Sequence, residues 1–485
     1  MKKYIIYIIV LVFTSGLTSC EDWFDVQPKT QVKTDDLFDS EGGFKRALIG
    51  VYTQMAGNSA YGAEGTLAFI EVLSGAYTSV RDNNHNYFEA SWYNYESSAN
   101  VSRIDNLWAV NYSTIANINN LLEHIDEKQS VFNEGIYEII KGEALALRAY
   151  IHFDLLRNFA PAPINGLEVP AIPYVDAVST SPFPQLSVGE VLERVIDDLL
   201  EAEMYLKDHD PIGPAFDSYE ESRYGYTSVD ESISESSFLM FRKERMNYYA
   251  VLGTLARVYL YRGGDEDKTE AYKYANDVIN CEKFALNDSQ TISEQSSNQI
   301  AMTYLAQEYL FSLYNRNMTE SVNEKYFKFV ETSSSYDELE IDEPRRNEYF
   351  ETEKYGGVAD VRLNKLFTIN TDGLSYYLAK YDYGNYNVKR VPLIKVSEMY
   401  LIIAECMDSW EHLMSLRRMR GLKVMAPGAS LKEEIEAEYR KELLGEGQMF
   451  YYYKRLNQLV NVDMEDLGKF VLPIPDVEKE RGLIN

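Results

Sequence analysis

The chain is poor in histidine, cysteine and tryptophan, and this scarcity limits the chemistry it can perform. Five histidines, three cysteines and four tryptophans occur among its 485 residues. Three cysteines cannot form a multi-disulfide scaffold, and we interpret Cys281 and Cys406 as small buried hydrophobic residues. The sequence contains no H-E-x-x-H zinc motif, no nucleophile elbow and no phosphate-binding glycine loop. We therefore expect neither an enzyme nor a resident cofactor.

Positive charge is also scarce. Lysine and arginine number 47 against 76 aspartates and glutamates, which gives a formal net charge of −29. Nucleic acids and anionic lipid headgroups are bound by basic surfaces, so neither is an expected partner of this chain. The excess of acidic residues fits a protein that binds neutral or cationic ligands, and it equally fits an ordinary solvated surface.

One acidic run invites a metal-site interpretation. Asp337, Glu338, Glu340, Asp342 and Glu343 lie within seven residues of one another. The run lacks the glycine that an EF-hand loop needs for its sharp turn. We interpret it as a solvated surface segment, with a structural calcium ion as the alternative.

Long hydrophobic runs are absent except at the start of the chain. Lys2 and Lys3 precede an apolar run, residues 4–13, that is too short to cross a bilayer but has the length of a signal-peptide core. The run leads to Leu17-Thr18-Ser19-Cys20, a cleavage pattern of lipoprotein signal peptidase. We therefore predict a lipoprotein signal peptide at residues 1–19, acylation of Cys20, and a single domain over residues 20–485.

The remaining sequence is dominated by helical periodicity. Apolar residues recur at helical spacing, and Ser187 with Glu190 has the form of a capping box. The predicted helices are 104–126, 134–159, 187–206, 243–262, 268–281, 393–407 and 431–445. Long polar stretches rich in tyrosine lie between them, at 55–100, 207–242 and 288–390, and long loops of this kind commonly form binding sites.

Two of the predicted helices share a small-small-large pattern. Ala146, Ala149 and Phe153 correspond in spacing to Gly253, Ala256 and Leu260. Small residues at this spacing let a partner helix approach closely, as in tetratricopeptide-like helix pairs. The sequence therefore predicts an all-α scaffold of such pairs, with long ligand-binding loops and a few short strands.

Several segments, in order along the chain, resemble the SusD/RagB family. The most specific is 145–163, LALRAYIHFDLLRNFAPAP. The others are Gly43-Phe44, 250–261, Glu308-Tyr309-Leu310-Phe311, Asp360-Val361-Arg362, Lys380-Tyr381, 393–405, Arg440 with Glu442, Glu446-Gly447, Lys454-Arg455 and Pro473-Ile474-Pro475. The resemblance implies about four tetratricopeptide-like units. It also implies a surface lipoprotein of the outer membrane, and Glu21-Asp22 resembles the export signal of Bacteroidetes lipoproteins.

The implied function is capture of a glycan and its transfer to a SusC-like TonB-dependent transporter. The implied site lies in the loops before helix 104–126 and after the strand near residue 310. We predict Trp92 and Tyr93 as stacking faces for sugar rings. The hydrogen-bonding and supporting residues predicted beside them are Arg81, Asn83, Tyr95, Tyr314, Asn315 and Arg316. The alternative is RagB-like peptide binding, in which the arginines would hold peptide termini.

Overall fold

A computed structural model describes the chain from residue 36 onward. The described residues are 36–217, 237–328, 336–354, 356–371, 373–382, 384, 389–424, 428–480 and 484. The predicted signal peptide, residues 1–19, and the predicted lipidation site Cys20 lie outside the described residues.

Most of the regular structure is helical, as predicted. In chain order the helices are α1 Glu41–Met55, α2 Phe69–Leu73, α3 Phe88–Ser91, α4 Ser98–Ile125, α5 Ile136–Phe159, α6 Val188–Lys207, α7 Tyr248–Arg262, α8 Asp265–Ile279, α9 Ser289–Ser293, α10 Asn298–Leu305, α11 Glu324–Tyr326, α12 Glu343–Tyr349, α13 Val361–Lys365, α14 Val396–Cys406, α15 Trp410–Met419, α16 Leu431–Glu442, α17 Gln448–Arg455 and α18 Asp476–Glu480.

Local side-chain chemistry sets several helix ends. Ser187 and Glu190 form the predicted capping box at the start of α6, each satisfying a backbone N–H group that would otherwise lack a partner. Asn247 accepts from the backbone N–H of Ala250 at the start of α7. Gly263 ends α7 with φ of +86°, a left-handed conformation that glycine adopts without steric cost.

The long helices form one continuous row of four pairs. The pairs are α1 with α4, α5 with α6, α7 with α8, and α14 with α15. Neighbouring pairs touch through α4 and α5, α6 and α7, and α8 and α14. This arrangement confirms the predicted all-α scaffold of about four helical pairs.

Short antiparallel strands complete the scaffold. They are β1 Pro170–Pro173, β2 Gln185–Ser187, β3 Tyr309–Tyr314, β4 Glu340–Asp342, β5 Phe367–Ile369, β6 Ser375–Leu378 and β7 Arg390–Lys395. β1 pairs with β2, β3 pairs with β7, and β6 lies between β4 and β5. Gly253 on α7 packs against Leu310 of β3 and Ile394 of β7. The small residue of the sequence pattern thus lets this sheet approach the helix closely.

Several details of the sequence prediction were wrong, and one of them is the helix predicted at 243–262, which begins at Tyr248. The helix predicted at 393–407 begins at Val396, because residues 390–395 pair with β3 as a strand. The helix predicted from 104 begins at Ser98, where Ser97 provides the cap. Cys281 and Cys406 are half-buried free thiols and not fully buried residues.

Candidate ligand-binding surface

The loop that precedes α4 is fixed to a distant part of the chain. The backbone N–H of Thr78 donates to the carbonyl of Glu340 at 2.8 Å. The Ser79 hydroxyl donates to the carbonyl of Glu338 at 2.8 Å, and His85 Nε2 lies 2.9 Å from the same oxygen. The loop is therefore held by main-chain and side-chain contacts that do not depend on a ligand.

Trp92 is an exposed aromatic side chain at the end of this loop. It immediately follows α3, and 47% of its surface remains exposed. The Arg81 guanidinium lies 4.6 Å from the ring centroid, and Phe88 packs edge-on with the two ring centroids 6.3 Å apart. Arg81 Nη2 is in turn 2.8 Å from Asp463 Oδ2. The indole is thus supported by Arg81 and Phe88, while about half of the residue is exposed to solvent.

Arg81, Trp92 and Asp463, joined by these contacts, form what we call the tryptophan surface, and Asn83 stays a predicted member of it. Asn83 is exposed beside Asp82, whose carboxylate accepts from the backbone and side-chain N–H groups of Asn84. An indole face can contact the C–H groups of a sugar ring, while amide and guanidinium groups donate to its hydroxyls. The surface therefore combines the two kinds of group that carbohydrate recognition requires.

The neighbouring tyrosines do not contribute ring faces. Tyr93 is 1% exposed and adopts φ of +56°, and its hydroxyl donates to the carbonyl of Leu73 at 3.1 Å. Tyr95 is also buried, and its hydroxyl donates to the carbonyl of Lys469 at 2.5 Å. Desolvation by burial raises the pKa of both phenols. Tyr93 and Tyr95 therefore belong to the core, and burial argues against Tyr93 as a stacking face and against Tyr95 as a ligand-binding residue beside it.

The second predicted group lies at the end of β3. Tyr314 and Arg316 are exposed, whereas Asn315 is buried and its side-chain oxygen accepts from the backbone N–H of Asn317. In the described parts of the chain, no hydrogen bond, ion pair or ring contact joins this group to the tryptophan surface. The side-chain nitrogen of Asn315 is buried and has no hydrogen-bond partner among the described residues, and the roles of Tyr314, Asn315 and Arg316 stay predictions.

Two residues near the loop were missed by the sequence analysis. Tyr336 is 55% exposed, and its carbonyl accepts from the backbone N–H of Asn86 at 2.9 Å, which places a second exposed aromatic residue beside the loop. Asp463 pairs with Arg81 from a segment almost 400 residues away. No local pattern marks either residue, because one is among 39 tyrosines and the other among 76 acidic residues.

An open cleft of about 920 Å³ adjoins the same loop. Its lining combines residues 93–96, the first turns of α4, β1 and the segment that precedes α18. Pro473-Ile474-Pro475, one of the segments that resembles the family, lies in this wall. The lining of the cleft carries three carboxylates, those of Glu96, Asp105 and Asp476, against the two lysines Lys469 and Lys479. The side-chain carboxylates of Glu96 and Asp105 make no hydrogen bond or ion pair within the described chain.

The acidic run serves local structure. Asp342 caps α12 by accepting from the backbone N–H of Arg345 at 2.9 Å, and Asp337 accepts from the Asn86 side chain at 2.9 Å. Glu340 lies in β4 and accepts from the Asn370 side chain. Over the residues that the structure describes, no three His, Cys, Asp or Glu side chains are grouped closely enough to hold a metal ion.

None of the described helices has both the length and the apolar character needed to span a membrane.

Comparisons with known proteins agree with this architecture. Residues 22–211 match the sequence model of a SusD-like family described as starch-binding and associating with the outer membrane. A SusD-like protein of Formosa agariphila, P25, is 25% identical over 170 residues, which cover 34% of this chain and 31% of the relative. The aligned part thus spans about a third of that curated relative.

Solved structures extend the likeness to almost the whole chain. A SusD superfamily protein from Bacteroides thetaiotaomicron is 22% identical, with a TM-score of 0.66 over 91% of this chain and 98% of its own. A laminarin-binding SusD-like protein is 18% identical, with a TM-score of 0.64 over 92% of this chain and 99% of its own. The N-terminal part of this chain is therefore similar in sequence to SusD-like proteins, and about nine-tenths of its length shares the fold of the solved SusD superfamily structures.

Proposed function

We propose that this protein captures a polysaccharide or oligosaccharide on the tryptophan surface at the cell exterior, without chemical turnover. The observation that carries the proposal is the exposed indole of Trp92, supported by Arg81 on a loop that is fixed to residues 338–340. The family description as starch-binding and the laminarin-binding relative with the same fold support it.

The geometry favours weak to moderate affinity for a single sugar unit. Trp92 is exposed on an open surface, so each sugar ring loses only part of its hydrated surface when it stacks there. Longer chains gain affinity by contacting further groups, and both Tyr336 and the 920 Å³ cleft are joined to the same loop. We therefore expect affinity to rise with the length of the glycan.

We also propose that Cys20 carries the lipid anchor and that the glycan passes to a SusC-like TonB-dependent transporter. The sequence pattern around Cys20 and the family description as associating with the outer membrane support this part. Cys20→Ala should remove acyl labelling and shift the protein out of the membrane fraction. Affinity purification of the full chain from its host should recover an outer-membrane transporter.

Calorimetric titration of the full chain in a neutral detergent tests glycan capture. The panel should contain plant, host and microbial polysaccharides together with a peptide pool. We expect saturable binding of one class of glycan with no change in its chain length. Trp92→Ala should reduce that affinity at least about tenfold, since an exposed stacking residue at a binding site contributes roughly 1–2 kcal/mol.

Two variants distinguish the sites. Phe216→Ala removes another exposed aromatic side chain, outside both predicted groups, and should leave the affinity unchanged. Tyr314→Ala tests the second predicted group in the same way. Binding of peptides with no glycan response would contradict the proposal and favour a RagB-like peptide receptor.

A further inference from the structure

Arg81 is already neutralised by a partner within the protein. Its guanidinium is 2.8 Å from the Asp463 carboxylate and stacks at 4.6 Å from the Trp92 ring centroid. The two charged side chains keep about a third of their surface exposed, at 34% for Arg81 and 28% for Asp463. A sulfate or carboxylate on a sugar would meet a guanidinium whose positive charge Asp463 already offsets, so the pairing would gain little electrostatic energy, whereas the remaining N–H groups can still donate to hydroxyls. Arg81 is therefore built to support the indole and to donate to neutral hydroxyls.

The charge around this pair is predominantly negative. Residues 81–96 contain three carboxylates and one cation, Arg81. Residues 457–469, which supply Asp463, again contain three carboxylates and one cation, Lys469. The Lys469 ammonium donates to the carbonyl of Tyr93 at 3.4 Å, so it is already engaged beneath the loop.

The basic side chain that contacts the loop from α4 is engaged as well. Arg103 lies over the Tyr87 ring at 4.2 Å and donates to the carbonyl of Asn86 at 2.9 Å. Among the described residues that line the cleft, Glu96 and Asp105 carry carboxylates without an ion pair, whereas Asp476 pairs with Lys479 at 3.2 Å. A chain of sugars leaving Trp92 toward the cleft therefore passes further negative charge. Like charges close to one another disfavour binding and slow the encounter of the two molecules.

From these charges we propose that the tryptophan surface selects uncharged glycans and rejects sulfated or uronic-acid-rich ones, and that the Arg81–Asp463 pair is a positioning element for this selectivity. The inference rests on the proposed function and adds the class of glycan to it. We expect the affinity for a neutral glycan to exceed the affinity for its charged form at least about tenfold at low salt. The difference should be smaller at high salt, because surface charges are screened over about 10 Å at 0.1 M ionic strength.

The test compares neutral polysaccharides with their own sulfated derivatives, so that only the charge differs. The full chain in a neutral detergent is titrated with laminarin, dextran and hydroxyethylcellulose and with the sulfated form of each. The quantity measured is the ratio of the affinity for the sulfated form to that for the neutral form. We expect a ratio below about one tenth for the neutral glycan that binds most tightly.

Asp463→Asn releases Arg81 and should raise this ratio at least about tenfold, an increase that high salt abolishes. Glu465→Gln removes a neighbouring exposed carboxylate that has no contact with Arg81, and should change the ratio less than about threefold. Thermal melting of both variants confirms that they are folded.

The outcomes separate the two proposals. A sulfated derivative that binds the wild-type chain as tightly as its neutral parent overturns the selectivity and leaves glycan capture intact. If the wild-type chain rejects the sulfated forms and Asp463→Asn rejects them equally, the proposed role of the Arg81–Asp463 pair is overturned. No binding of any polysaccharide, neutral or sulfated, overturns glycan capture and the selectivity with it.

Discussion

At the scale of single residues, this fold contains a cluster of buried charges that pair with one another. Arg242 has no exposed side-chain surface, and it pairs with Glu143 at 2.5 Å and with Asp210 at 2.7 Å. Glu143 also pairs with Arg245 at 2.9 Å and accepts from the Tyr52 hydroxyl at 2.5 Å. These contacts connect α1, α5 and the segment that enters α7. They hold the scaffold together from inside and leave no role in ligand binding for these charges.

Loss of one charge from this cluster should be costly. Glu143→Gln keeps the shape of the side chain but leaves Arg242 and Arg245 with one carboxylate fewer in a site without water access. We expect the free energy of unfolding to fall by roughly 3–5 kcal/mol. Denaturant unfolding monitored by circular dichroism measures it. The control is Asp176→Asn, which breaks an exposed pair with Arg194 and should cost less than about 1 kcal/mol.

A second buried carboxylate, that of Glu71, should make the stability of the fold depend on pH. Burial raises the pKa of Glu71 to about 7 from its usual 4.5, although backbone N–H groups of Gly445 and Gly447 donate to it at 2.8 and 2.7 Å and oppose the shift. The folded state therefore binds this proton more tightly than the unfolded state. The resulting stabilisation is complete below about pH 4.5 and is lost as the pH rises through about 7.

Glu71→Gln removes this titration. The melting temperature of the variant should decline less than that of the wild type between pH 5 and pH 8, values that lie either side of the raised pKa. Glu320→Gln, a change at an exposed carboxylate, should follow the wild type. Parallel pH profiles for wild type and Glu71→Gln would contradict the assignment.

At the scale of elements, close approach of paired helices depends on particular glycines. A Cβ atom at Gly142 of α5 would lie 2.8 Å from Leu206 Cγ of α6, and Leu206 is fully buried. Gly142→Ala should therefore destabilise the chain by about 1–3 kcal/mol, because the crowding outweighs the better helix propensity of alanine.

Gly50 provides the matched control for this prediction. It is an exposed residue inside α1, and a Cβ atom there would meet no other atom within 4 Å. Gly50→Ala should stabilise by up to about 1 kcal/mol, because only helix propensity changes. Equal effects of the two substitutions in thermal melts would show that α5 and α6 are not packed this closely.

The elements also show what the sequence could predict. Long amphipathic helices such as α4 and α6 were predictable because their apolar spacing and caps are local features. β7 was hidden at the start of a predicted helix, because the short apolar run Val391-Pro392-Leu393-Ile394 is compatible with a buried strand or a buried helix. Its pairing with β3, some 80 residues earlier in the chain, decides between the two.

The candidate site was less predictable than the fold. Exposed and buried side chains alternate in Trp92-Tyr93-Asn94-Tyr95, and no local feature of the sequence indicates which of them are exposed. The positive φ of Tyr93 turns its ring inward and leaves Trp92 outside. The Asp463 partner of Arg81 comes from the other end of the chain, and a contact of that sequence separation cannot be read from one sequence.

At the scale of the whole molecule, a row of helix pairs carries a candidate binding surface assembled from distant segments. The loop before α4, the strand at 340–342 and residues 457–469 meet around Trp92. Trp108 is buried in α4 and Trp410 is half-buried, so Trp92 is the exposed tryptophan among those the structure describes. A ligand on the tryptophan surface should therefore alter one identifiable chromophore.

The central claim is that a glycan sits on Trp92, and quenching of tryptophan fluorescence by acrylamide tests it most directly. The full chain is measured with and without a saturating concentration of a polysaccharide that calorimetry has shown to bind. Bound glycan should shield Trp92 and reduce the quenched fraction, and this change should disappear in Trp92→Phe, in which the phenyl ring still provides a face for binding. Saturable binding that leaves the quenching of the wild-type chain unchanged would contradict the claim and place the ligand elsewhere.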